Sequence, residues 1–144
     1  MAKRFEKNFV AMDKPNTMTA AYLEVDPKTT HSQRYMDDKV VKGCEFGCDN
    51  MWLMPAKEQK IMDANKQPYD RFFGFYSYNY ENIRDLCGEL EVYIGGEKHI
   101  VKRSGAIFIP ANLEVGPMIF RNTTKPIFFT IEFPCGEGLK KKYV

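Results

Sequence analysis

Hydrophobic positions in this chain recur at every second residue, in short runs broken by glycine and proline. Leu90, Val92 and Ile94 alternate with Glu89, Glu91 and Tyr93, the pattern of an antiparallel strand with one buried and one wet face. Gly95-Gly96 follows and supplies the positive φ angles of a tight turn, so residues 88–101 predict a hairpin. Ile107 and Ile109 alternate with Ala106 and Phe108 until Pro110, which has no N–H to donate and ends the ladder. A second strand then runs through Met118-Ile119-Phe120-Arg121, and in 126–133 Ile127, Phe129, Ile131 and Phe133 share one face. Residues 71–80 are aromatic and strand-like, 51–55 form a short apolar strand closed by Pro55, and 17–25 have strand character up to the turn signal Asp26-Pro27. Helical periodicity is almost absent: a weak candidate spans 32–40, and 82–86 form a single helical turn or a loop. The pattern predicts an all-β sandwich or small barrel. Its division is an N-terminal arm, residues 1–16, and one β-barrel domain, residues 17–144.

Length and composition narrow the class. A chain of 144 residues buries roughly two thirds of its unfolded surface. Hydrophobic content of 44% and aromatic content of 14% suit a β-rich globular protein and exclude a disordered one. The formal net charge is +2, and the basic residues are scattered except for Lys140-Lys141-Lys142. That run is expected to be a solvated tail, since nucleic-acid binding needs a broad basic face. No apolar run approaches the roughly 20 residues of a membrane span, and the first residues lack the apolar centre of a signal peptide. The expectation is a soluble cytoplasmic protein with no nucleic-acid or membrane partner. Cys44, Cys48, Cys87 and Cys135 do not show the paired spacing of a zinc site, so reduced, partly buried thiols are expected.

Several short phrases occur in a telling order: Asp49-Asn50-Met51-Trp52, Met54-Pro55, Phe72-Phe73-Gly74-Phe75, Gly88-Glu89-Leu90-Glu91 and Ile109-Pro110. Each is weak alone, but together they resemble a cupin, the double-stranded β-helix, over approximately residues 51–133. The resemblance implies an all-β, single-domain cupin-like jelly-roll barrel, and a homodimer as partner because cupins commonly pair through their sheets. It also implies a metal held by two histidines and a carboxylate from a first motif and one histidine from a second. Aligned on Tyr69-Asp70, the first-motif histidine positions carry Asn65 and Gln67, and the carboxylate position carries Arg71. A slip of one or two residues would make Asp70 the carboxylate. In the second motif the glycine position is Asn112 and the histidine position is Val115. The chain has two histidines, His31 and His99, and neither lies in either motif, so a three-histidine centre is excluded by counting. The expectation is a metal-free site with no cofactor.

The same positions are the candidate ligand contacts: Asn65, Gln67, Arg71, Phe73, Phe75 and Val115. If Arg71 enters the barrel, its planar five-donor fork can clamp a carboxylate or phosphate on a small ligand. If the strand leaves the barrel there, Arg71 pairs with Asp70 or Asp85 at the surface. Phe73 and Phe75 share its strand face, as pocket walls or plain core. Asn65 and Gln67, if buried, need hydrogen-bond partners. Tyr76, Tyr78 and Tyr80 fall on the other face as rim or interface residues. His99 depends on hairpin register: a two-residue turn places it opposite Val92, and a three-residue turn sends it to water and Ile100 inward. The better core residue, Ile100, favours the second. Functionally, this describes a metal-free cupin-like domain that binds a small polar or anionic molecule or serves as a dimeric scaffold. The alternative is a small-molecule enzyme, isomerase-, epimerase- or dioxygenase-like. It would use atypical ligands such as Asp70, Asn65 and Gln67, or an acid–base pair in the barrel.

Overall fold

The structure is a computed structural model that describes residues 3–12, 20–24, 26, 28 and 30–144. Nine strands follow in order: β1 (Thr30–Met36), β2 (Phe46–Leu53), β3 (Glu58–Met62), β4 (Arg71–Ser77), β5 (Asp85–Ile94), β6 (Glu97–Arg103), β7 (Gly105–Ile109), β8 (Val115–Arg121) and β9 (Ile127–Pro134). They form two antiparallel sheets, ordered β1-β2-β9-β4-β7 and β3-β8-β5-β6. Alternation along the inner strands of both sheets puts every second residue into a shared core. Met51, Phe73, Phe129 and Ile131 come from the first sheet, and Met62, Val92, Met118 and Phe120 from the second, all at most 1% exposed. The all-β architecture agrees with the period-2 pattern, and the two-sheet jelly roll with what the cupin resemblance implies.

Three local expectations are corrected. Residues 32–40 are not helical: through Met36 they belong to β1, whose pairing with β2 supersedes a weak helical period. The strand ends where the Asp37 carboxylate accepts the Lys39 and Val40 N–H groups at 2.9 and 2.8 Å, forming an Asx turn. The Lys140–Lys142 run is not a tail but part of a helix, α1 (Gly136–Tyr143), with its lysines still facing solvent. Lys141 meets Glu45 and Lys142 meets Asp70. The hairpin uses the two-residue turn, with Ile94 opposite Glu97 and Val92 opposite His99. Gly95 and Gly96 both have positive φ, 58° and 82°, which matches strand twist. Ile100 consequently faces out at 47% exposure, and Val101 packs toward the core instead. His99 shares the inner face with Val92, but β6 is an edge strand, so its side chain stays 42% exposed beside Glu97.

The expected strand over 17–25 lies mostly outside the described residues. Within the described part, Leu23 bridges Met62, and the Glu24 N–H donates to the Ile61 carbonyl at 2.6 Å. Residues 20–24 therefore cross the end of the barrel beside β3. Among the described residues, no helix is long and apolar enough to cross a membrane.

One close approach shapes that end of the barrel. Gly116 has φ 101°, and a Cβ there would lie 2.6 Å from the Asp63 carbonyl oxygen. Only glycine lets β8 run this near the segment after β3. Gly116→Ala is expected to destabilise the fold by about 2 kcal/mol or more, through backbone strain and steric overlap. A lowered urea midpoint at unchanged denaturant slope is the measurement that checks it.

Candidate functional site

Strand β4 carries the central side chain. Its alternation places Arg71, Phe73 and Phe75 on the inner face, with Arg71 opposite Ile109 of β7. Arg71 is 1% exposed, so the surface reading, in which it pairs with Asp70 or Asp85, does not hold. Asp70 faces the other way: its carboxylate accepts the Ala111 N–H at 2.9 Å and the Lys142 ammonium at 3.1 Å. Asp85 pairs in register with Arg103 on β6.

Asn65 reaches Arg71 from the segment after β3. It exchanges two backbone hydrogen bonds with Val115, at 2.8 and 3.0 Å, the pairing that Gly116 allows. Its Oδ1 accepts from Arg71 Nη1 at 2.6 Å, while its Nδ2 donates to the Asp63 carbonyl at 3.0 Å. The guanidinium lies over two rings, with its carbon 5.0 Å from the Tyr22 centroid and 5.4 Å from the Phe73 centroid. Arg71 Nε and Nη2 are buried and without a hydrogen-bond partner among the described residues, as is the Tyr22 hydroxyl. A buried N–H left unpaired is costly. Here two lie on one cation, with a third orphan polar atom on the ring beside it.

Tyr22 is held in place by a second arginine. Asp49 on β2 is fully buried, and Arg34 on β1 grips both its oxygens, Nε to Oδ1 at 2.7 Å and Nη2 to Oδ2 at 2.8 Å. The same Oδ2 accepts the Ala20 N–H at 3.0 Å, which fastens the Tyr22 segment at one end. The Leu23–Met62 bridge fastens the other. Tyr22, Arg34, Gln67, Tyr69 and Phe133 line an open pocket of about 480 Å³ beside it. Burial pushes the Tyr22 phenol up to about 12, with the charge and the hydrogen-bonding influence of the neighbouring Arg71 guanidinium offsetting part of the rise. Burial also raises Tyr69, against the opposing charges of Arg71 and Arg34. Both phenols are therefore neutral near pH 7.

The candidate residues thus separate. Asn65, Arg71 and Phe73 converge, and Val115 is joined to them through the Asn65 backbone. Gln67 lines the pocket, and its carbonyl accepts the Asn112 N–H at 2.8 Å. Phe75, two residues further along β4, sits in the core opposite Phe129. Tyr22, Tyr69, Arg34 and Asp49 are additional members that the sequence reading did not select. Asp49 was visible only as the first residue of the Asp49-Asn50-Met51-Trp52 phrase, with nothing in the sequence to pair it with Arg34.

This donor set does not fit a divalent metal. Two amides, an aliphatic side chain and a guanidinium occupy the positions, and Asn65 Oδ1 is already taken by the Arg71 cation. Among the described residues, no three His, Cys, Asp or Glu side chains converge to hold a metal ion.

No protein-family model matches the chain, and no curated protein does. Solved structures do match. The polyketide cyclase RemF from Streptomyces resistomycificus is similar at TM-score 0.51 and 16% identity, over 94% of this chain and 81% of that one. The Cnp3 cupin domain of Schizosaccharomyces pombe is similar at TM-score 0.50 and 10% identity, over 78% and 69% respectively. The chain has the cupin fold, in a form that lacks the metal-binding histidines.

The Tyr22 shift gives a pH test. Its folded-state value exceeds the ordinary 10.0 of an exposed phenol, so its contribution is intact below pH 10 and is lost as the pH rises toward 12. Over that window the stability of the wild type relative to Tyr22→Phe is expected to fall by about 2 kcal/mol. Denaturant titrations of both proteins at successive pH values check this.

Proposed function

We propose that this domain binds a small anionic molecule inside the barrel, with Arg71 as the recognition cation. The observation that carries this reading is a buried guanidinium that, among the described residues, has two N–H groups without a hydrogen-bond partner and no carboxylate hydrogen-bonded to it. Such a group destabilises a protein on its own, and a bound anion would satisfy it. Asn65 fixes the cation, the Phe73 and Tyr22 rings lie beside it, and Gln67 and Tyr69 line a pocket that Tyr22 shares. Phe75 and Val115 belong to the surrounding core and not to the pocket.

The fold alone leaves the chemistry open, since one of the two similar structures is named a cyclase and the other a cupin domain. An acid–base enzyme needs a free, positioned base. The candidates are otherwise engaged: Asp70 points away, His99 stands at a sheet edge, and Asp49 is held by Arg34. These placements favour binding over catalysis.

A second observation supports a homodimer. The outer face of the five-stranded sheet carries an aromatic band, with Trp52 and Phe128 centroids 5.1 Å apart and Tyr76 6.4 Å from Phe128. Phe108 lies on the same face at 62% exposure. Aromatic side chains are enriched where surfaces associate. Sedimentation analysis is expected to give a dimer for the wild type and a monomer for Phe108→Glu. A wild type that sediments as a monomer counts against this assembly.

For the ligand site, Arg71→Met is expected to leave the unliganded protein as stable as the wild type, or more so, because it removes an unsatisfied buried charge. The same variant is expected to lose all stabilisation by added anions. Melting curves in a panel of small carboxylates and inorganic phosphate test this. A panel that stabilises both proteins equally, or neither, removes the reading.

A further inference from the structure

Resting on that reading, the geometry also narrows the kind of anion. Arg71 Nη1 is committed to Asn65, so the two free donors are Nε and Nη2. These lie on one edge of the guanidinium and point in parallel, the spacing that matches two oxygens of a planar acid. The protein contains its own example of this match. Arg34 uses the same pair of nitrogens, Nε and Nη2, on the two oxygens of Asp49 at 2.7 and 2.8 Å.

The surroundings limit the charge. Arg34 is engaged with Asp49, and among the described residues Arg71 is the buried cation of this part of the core. The Tyr22 and Phe73 ring centroids lie 5.0 and 5.4 Å from its carbon, and Met62 lies against Asn65. A dianion with several unshared oxygens would keep uncompensated charge in that setting. A single carboxylate would not, and the orphan Tyr22 hydroxyl offers it a third hydrogen bond. The pocket that Tyr22 shares, of about 480 Å³, falls within the size range of small-molecule sites.

We infer that the site takes an organic monocarboxylic acid, its planar head edge-on to Arg71 Nε and Nη2 and bonded by the Tyr22 hydroxyl. The apolar or aromatic body of the acid extends toward the pocket lined by Tyr22, Gln67 and Tyr69.

Titration calorimetry on the full chain with benzoate, benzamide and inorganic phosphate tests this. Benzamide keeps the shape of benzoate and removes its charge, so that comparison needs no variant. Benzoate is expected to bind, and benzamide to bind at least about tenfold more weakly. Arg71→Lys keeps the charge but loses the fork, and is expected to weaken benzoate by about tenfold or more. Tyr22→Phe is expected to weaken it several-fold. Phosphate binding tighter than benzoate and lost in Arg71→Met overturns the carboxylate assignment while leaving an anion site in place. Equal benzoate affinity in Arg71→Lys overturns the fork. Absence of Arg71-dependent binding by either anion overturns both the assignment and the anion site beneath it.

Discussion

A guanidinium taken from water into a hydrocarbon interior costs several kcal/mol unless hydrogen bonds and counter-charge replace its hydration. Arg71 receives little of either. One amide oxygen, from Asn65, and the faces of two aromatic rings are what the described protein provides. Everything proposed about this barrel follows from that incomplete compensation. An arginine at the surface, or one paired with a carboxylate as Arg34 is, would carry no such implication.

The scaffold around it accounts for why Arg71 is placed so definitely. β4 is a central strand, paired with β9 on one side and β7 on the other, so its register is fixed by Phe73 and Phe75 entering the core. A slip of one residue would expose both rings. Asn112, at the position of the motif glycine, adopts φ 68°, a left-handed conformation that asparagine tolerates better than most residues. Gly116 lets Asn65 and Val115 pair across the barrel end. Around this end of the barrel the chain places an amide, a cation and an aliphatic group, from Asn65, Arg71 and Val115.

Much of this was legible in the sequence, and the reasons are local. Alternation located the strands because each has one buried face, and the motif order located the fold. The replacement of histidines was visible by counting. What was not legible depended on pairing between distant segments. β1 has a mixed, weakly helical composition, and only its ladder with β2 makes it a strand. The hairpin register was misjudged because Ile100 was credited with a core place that an edge strand does not offer. Whether Arg71 points inward could not be read from its neighbours, since Asp70 was an equally available partner until α1 and the Ala111 N–H claimed it. Tyr22 lies forty-nine residues before Arg71, and no pattern within its own segment connects the two.

At the centre of the proposal is the Arg71 guanidinium, buried and fixed by Asn65, with an Nε edge that an anion would have to reach. Nitrogen-15 NMR of the arginine Nε–H groups reads this directly. The account expects a slowly exchanging Nε–H signal that disappears in Arg71→Lys and shifts progressively as a small carboxylate is added to the wild type. An Arg71 signal that exchanges as fast as those of surface arginines, or one unmoved by saturating carboxylate, would contradict it.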